Sequence, residues 1–143
     1  MSIFKEIMNN FEIKIIICGT SSEGKYIRKL VDKINSKLIE VRVGKTLLEF
    51  IEVVQGAKLL IGNDSSSIHI ASMVNTQSIC LYGGLLYGRF LPYPKGTENA
   101  PILVFNKNCK KKNWICSDKH NCLDQISVDD VLIKVNNVIN KNI

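Results

Sequence analysis

Between residues 13 and 82 this chain alternates two kinds of hydrophobic pattern, and that alternation limits its possible folds more than any other feature. Ile13 to Cys18, Leu38 to Val43, Leu59 to Gly62 and Ser78 to Tyr82 are short, mainly apolar runs, the first of them rich in β-branched residues. The stretches between them repeat at helical spacing instead. Residues 24–35 set Ile27, Leu30, Val31 and Ile34 on one stripe, residues 46–56 set Leu47, Leu48, Ile51 and Val54 on one face, and residues 66–74 read as a third helix. Nearly continuous apolar strands between amphipathic helices imply a parallel sheet covered on both faces. With right-handed crossovers the expectation is an α/β, Rossmann-like domain spanning residues 1–143. Ligands of such sheets bind at the carboxyl ends of the strands, here the loops 19–24, 44–46, 63–67 and 83–90.

The flanks are less regular. Residues 2–10 read as a short helix with Ile3, Phe4, Ile7 and Met8 on one stripe. Residues 83–100 hold four of the nine glycines and two of the three prolines, the composition of a long functional or mobile loop. Ile102 to Phe105 is the expected fifth strand, and residues 106–124 are irregular and rich in Cys and Lys. Ser127 reads as the cap of a last helix with Asp130 at the capping-box position, its apolar stripe being Val128, Val131, Leu132, Val135, Val138 and Ile139.

At 143 residues and 45% hydrophobic content the chain suits one domain with a real core. Its 19 basic against 13 acidic residues give a net charge of +6, which favours anionic partners without choosing among them. No apolar run approaches the ~20 residues of a membrane span. The start, Met-Ser-Ile-Phe-Lys-Glu, lacks the order of an export signal, so five cysteines in a reduced cytoplasmic chain are the expectation.

Asn63-Asp64-Ser65-Ser66-Ser67-Ile68-His69 ends one strand and opens a helix. Free N–H groups, hydroxyls and the positive end of a helix dipole together make an anion cradle. The plainer alternative is an Asp or Ser cap with His69 on the helix flank. In the cradle reading, Ser65, Ser66 and Ser67 hold phosphate, while Asp64 accepts hydrogen bonds from a sugar.

Gly19-Thr20-Ser21-Ser22-Glu23-Gly24-Lys25 has most of a P-loop pattern. Two features weigh against an NTPase. Tyr26 stands where a P-loop has Ser or Thr, and Glu23 would put a carboxylate into the phosphate nest. Cys109, Cys116, His120 and Cys122 offer four soft ligands, enough for tetrahedral zinc. Their spacing lacks the tight C-x2-C knuckle, and zinc, free thiols and a local disulfide stay open. Lys107, Lys110, Lys111, Lys112 and Lys119 surround Trp114 as a solvated loop or a contact for an anionic membrane face.

The order of these pieces resembles the C-terminal domain of glycosyltransferase family 9, the lipopolysaccharide heptosyltransferase family. The family's turn N-D-S/T-G-P-M-H-[IL]-A is similar to Asn63 to Ala71. Its G-x-x-x-E matches Gly19 and Glu23, its G-x-[ST]-x-L-x-E is approximated by Gly44 to Glu49, and its [LY]-[FY]-G matches Leu81-Tyr82-Gly83. Some members also carry a cysteine-bearing segment before the last helix, like Cys109, Cys116 and Cys122.

The resemblance implies the donor half of a GT-B enzyme, holding a nucleotide-sugar such as ADP-heptose as substrate, with no cofactor or metal. The donor-binding residues it implies are Glu23 at the ribose and Asp64, Ser65, Ser66, Ser67 and His69 at the diphosphate and sugar. Arg89 is a further candidate to face the donor. The family's Gly-Pro is replaced here by Ser66-Ser67. No catalytic residue is assigned to this chain. The resemblance places the base and the lipid-linked or lipopolysaccharide acceptor with an N-terminal domain, without which the chain is expected to be inactive. The absent export signal and the lysine patch together set the expected location as cytoplasmic, peripheral at the inner membrane face, and no nucleic-acid partner is expected. The competing reading is a non-catalytic nucleotide-binding or interaction module.

Overall fold

A computed structural model describes residues 3–11, 13–83, 88–105 and 123–140. The chain is α/β, and it forms two compact units, Met1–Glu52 and Val53–Ile143. Cys109, Cys116, His120, Cys122, Trp114 and the lysines around them lie outside the described residues.

The first unit begins with α1 (Ile3–Asn10), whose Ile7 is buried. Strand β1 (Ile15–Gly19) starts two residues later than its apolar run. The Ile13 N–H turns back to the Phe11 carbonyl at 2.8 Å, and the Ile15 N–H bonds across to Leu38 O at 2.8 Å. A single 3-10 turn (Ser21–Glu23) leads into α2 (Gly24–Ile34), which Asn35 ends in the left-handed conformation at φ 51°. Strand β2 (Ile39–Val43) pairs parallel with β1, from Ile15 opposite Ile39 to Gly19 opposite Val43. Helix α2 packs on this pair through buried Ile27. Gly19 is small for that reason, since a Cβ there would stand 2.5 Å from Ile27 Cδ1. Alternation along β2 sets Glu40 and Arg42 on the face opposite Ile39, Val41 and Val43. Glu40 forms ion pairs with Lys14 and Arg42. Arg42, and after it Lys14, holds the Glu40 carboxyl down at about 2.

Helix α3 (Leu47–Gln55) carries the chain from the first unit into the second. There, β3 (Leu60–Asn63), β4 (Ser78–Tyr82) and β5 (Ile102–Phe105) form a parallel sheet in the order β3-β4-β5. Leu60 faces Ser78, and Ile79 faces Ile102. Strand β4 is central and is the most buried, as suits the apolar run Ile79-Cys80-Leu81 that follows Ser78. Helix α4 (Ser66–Met73) covers β3 and β4 with Ile68 and Ala71. Helix α5 (Val128–Ile139) covers β4 and β5 with Val131, Val135 and Val138. Val128, at the exposed start of α5, leaves the stripe, and Ile133 stays exposed.

The loop after β4 is better anchored than its glycines and prolines suggest. Leu91 is 0% exposed and joins Ile68, Cys80 and Tyr82 in one core cluster, with Tyr93, Leu60, Leu103 and Phe105 packed around it. Tyr82 and Phe105 meet edge to face at 5.5 Å. Burial, helped by the Asp64 charge, pushes the Cys80 thiol up to about 12, so Cys80 acts as a core residue. Among the described residues no helix is long and apolar enough to cross a membrane, and no three His, Cys, Asp or Glu side chains gather as a metal site.

Candidate functional site

Each helix that follows a strand at its carboxyl end has to satisfy its first N–H groups from somewhere. The turn that leads into α2 answers its cap and third-position N–H groups internally. The Thr20 N–H and hydroxyl both donate to Glu23 Oε2 at 2.7 Å, and Glu23 N–H returns a bond to Thr20 O at 3.1 Å. This is a capping box built on T-x-x-E. The Thr20 hydroxyl, and then its N–H, holds the Glu23 carboxyl below the usual carboxylate range. Glu23 is exposed, and both bonds use the same carboxylate oxygen. The P-loop alternative does not suit this turn, because the Thr20 N–H points at a carboxylate rather than being left for a phosphate.

Helix α3 is closed in the same way. Thr46 N–H and hydroxyl each donate to Glu49 Oε2 at 2.9 Å, and Lys45 Nζ lies 2.8 Å from Glu49 Oε1. Lys45, followed by the two Thr46 groups, holds the Glu49 carboxyl down at about 2. Gly44 makes the bend between β2 and this cap at φ 66°, where a Cβ would lie 2.5 Å from Ser21 Oγ. The glycines and acids of the G-x-x-x-E and G-x-[ST]-x-L-x-E patterns therefore have local structural work here. Helix α5 is capped by Ser127, whose Oγ accepts from Asp130 N–H at 3.1 Å and donates to Asp130 Oδ2 at 2.8 Å.

Helix α4 is different. Ser65 is its N-cap in extended backbone (φ −149°, ψ 176°), yet its side chain makes no capping bond. The Ser65 hydroxyl pairs with the Ser67 hydroxyl at 2.8 Å instead. The Ile68 N–H reaches Ser65 O at 3.1 Å, and the Ser66 and Ser67 N–H groups precede it, where a helix has no acceptor of its own. Ser65 and Ser66 are exposed, Ser67 and Asp64 half-buried. The structure thus brings Asp64, Ser65, Ser66, Ser67 and His69 together on one turn, open at the positive end of the α4 dipole.

His69 is half-buried and held from one side. Its Nδ1 lies 2.5 Å from the Tyr93 hydroxyl, and the two rings are tilted at 5.8 Å. Phe90 meets the imidazole edge to face at 6.3 Å, and Arg89 Cζ lies 4.9 Å over the Phe90 ring. Sequence reasoning named Arg89 but missed Phe90 and Tyr93. The available signal was Phe90-Leu91-Pro92-Tyr93, a dense apolar and aromatic step inside a glycine- and proline-rich loop.

A cavity of about 350 Å³ opens at the other end of the β3-β4-β5 sheet, lined by Lys58, Asn75, Gln77, Asn99 and Asn137 among others. Its amides tie loops together: Asn99 Nδ2 donates to Asn75 Oδ1 at 3.2 Å, and Gln77 Nε2 to Ala100 O at 3.3 Å. It lies at the amino ends of the strands and away from the ligand-binding edge expected of such a sheet.

With this geometry in view, a family model described as glycosyltransferase family 9 (heptosyltransferase) matches residues 4–120. No curated protein and no solved structure matches the chain.

Proposed function

The chain belongs to glycosyltransferase family 9, and we propose that it is the part of such an enzyme that binds the donor, a nucleotide-sugar. The observation that supports this most directly is the start of α4, where Ser65 makes no side-chain cap and exposed Ser65 and Ser66 stand with Ser67 and His69. In this reading the N–H groups of Ser66 and Ser67, with the hydroxyls of Ser65 and Ser67, hold the donor diphosphate. Asp64 accepts hydrogen bonds from the sugar, where its charge does not oppose phosphate.

The reaction is transfer of a heptose-like sugar with inversion. The bond from the anomeric carbon to the diphosphate oxygen breaks, and an acceptor hydroxyl oxygen bonds to that carbon from the opposite face. The diphosphate departs with the electron pair, and fixed N–H donors stabilise the charge that develops on it. Such donors do the work without a metal or cofactor in this proposal. The acceptor proton goes to a base in an N-terminal domain, which also binds a lipid-linked or lipopolysaccharide-type acceptor. The lysines between Lys107 and Lys119 supply positive charge for an anionic membrane face at which that acceptor is met.

Calorimetry of the chain against ADP-, GDP- and UDP-sugars tests the reading. Binding of one of them, weakened in Asp64→Ala, is the expected result. Silence toward all three at millimolar concentration overturns it and favours a non-catalytic interaction module.

A further inference from the structure

Tyr93 belongs to the loop after β4, far along the chain from α4, yet its hydroxyl lies against the His69 ring. The contact is built rather than incidental. Leu91, two residues earlier, is fully buried against Ile68, the immediate neighbour of His69, so the loop and the helix are fixed at adjacent points. Phe90 closes a second side of the imidazole. A histidine with one nitrogen so engaged has its remaining chemistry decided by that partner.

A neutral imidazole has one N–H donor and one acceptor nitrogen, and a phenol is a good donor over the whole working pH range. If the Tyr93 O–H donates to Nδ1, then Nδ1 is the acceptor and the proton sits on Nε2. His69 follows Ser65 and Ser66 by four and three residues, so it shares their helix face. Side chains on a helix lean toward its N-terminus, which carries the ring back over the first turn. Nε2–H is then left as a neutral hydrogen-bond donor on the helix face that His69 shares with Ser65 and Ser66.

We propose that Tyr93 is a positioning residue that sets the His69 tautomer, so that Nε2–H donates to an anion held at the start of α4. The anion is of the diphosphate class, and this part of the inference rests on the donor-binding reading above. Phe90 and Leu91 support the arrangement by packing, and Tyr93 alone sets the proton.

The test is Tyr93→Phe, which keeps the ring and removes the hydroxyl. The chain has two histidines, so nitrogen-15 spectra of the full chain are simple, and His69→Asn assigns the signals. In the parent protein His69 should show protonated Nε2 and unprotonated Nδ1, and Tyr93→Phe should leave a mixture of tautomers. Titration with ADP, GDP and UDP in turn should show about a three- to tenfold weaker affinity in Tyr93→Phe, the loss of one well-placed hydrogen bond. The same substitution in a His69→Asn background should change affinity little. Nδ1–H in the parent, or an unchanged tautomer ratio in Tyr93→Phe, overturns the proposal. So does an equal loss of affinity with and without His69. The tautomer is read without ligand, so a parent chain that binds none of the three overturns the donor-binding reading while the Tyr93 assignment is still decided by its spectrum.

Discussion

Leu91→Ala should unlock the loop that carries Phe90 and Tyr93. The side chain is 0% exposed and is surrounded by Ile68 of α4 and by Cys80 and Tyr82 of the central strand. Truncation to Ala removes three carbon groups, which at about 0.8 kcal/mol each is roughly 2.4 kcal/mol of lost transfer free energy. The neighbours belong to a helix and a strand that are themselves packed, so they can close the gap only in part. The residual cavity should take the total to roughly 3–4 kcal/mol, within the range for buried Leu→Ala changes. A domain is typically stable by about 5–15 kcal/mol, so the variant should fold but unfold at distinctly lower urea.

The measurement is urea unfolding followed by circular dichroism and by tyrosine fluorescence. Coincident curves are required before a single free energy is used. Amide exchange adds a local readout. The Gly88 N–H donates to Leu91 O at 2.7 Å and should exchange sooner in the variant. Leu91→Met, which keeps the volume, should cost less than about 1.5 kcal/mol. If Leu91→Ala costs under about 1 kcal/mol and leaves Gly88 exchange unchanged, the loop is not anchored by Leu91, and the packing argument for His69 and Tyr93 falls with it.

Other substitutions test the turns. Gly44→Ala should cost about 1–2 kcal/mol from its left-handed backbone alone. The further clash with Ser21 Oγ should be relieved in a Ser21→Ala background, as thermal unfolding of the double variant would reveal. Glu49 has a folded value of about 2 against an ordinary 4.5, so the stability it contributes is complete above about pH 4.5 and is lost as pH falls through about 2. Glu49→Gln should therefore be the less stable protein at neutral pH and converge with the parent at the acid end. Because the pair is exposed, the difference should also shrink in high salt. Cys80, buried and with its thiol pushed up, should resist iodoacetamide in the native protein and react once unfolded, as peptide mass mapping would show.

The element order was legible because periods of 2 and 3.6 are written directly into the apolar residues. β4 and β5 fall on their apolar runs with the same ends. β1 was read two residues early because Ile13 is as apolar as Ile15, and only the turn at Phe11 separates them. The sequence also does not show which strands pair. β1 and β2 bond to each other, and β3, β4 and β5 form a separate ladder among the described residues. The site was harder still. Tyr93 reaches His69 from 24 positions away, and no local periodicity reports a contact made by a folded loop.

One part of the site is written in the sequence as a departure from a repeated pattern. Three helices here open on the same four-residue device: Thr20 with Glu23, Thr46 with Glu49, and Ser127 with Asp130. In each, a side chain at the third helical position answers a hydroxyl at the cap, and N–H groups of the cap or first turn are satisfied from within. At α4 the third position is Ile68, which is 0% exposed and belongs to the core. An acid there would replace a fully buried side chain of the apolar core, so the packing of α4 on its sheet disfavours the capping box that the other helices use. Ser65 lacks its reciprocal partner and bonds to Ser67. The core position that fixes α4 in place thus takes the side chain that would answer the Ser65 N–H; the Ser66 and Ser67 N–H groups, which a capping box leaves open in any case, have no third-position acid beside them. An apolar residue three places after a serine cap, at the carboxyl end of a parallel strand, is a readable mark of such an opening. Conversely, Glu23 and Glu49 cannot be assigned to a ligand from their pattern alone, because T-x-x-E already accounts for their carboxylates within the turn.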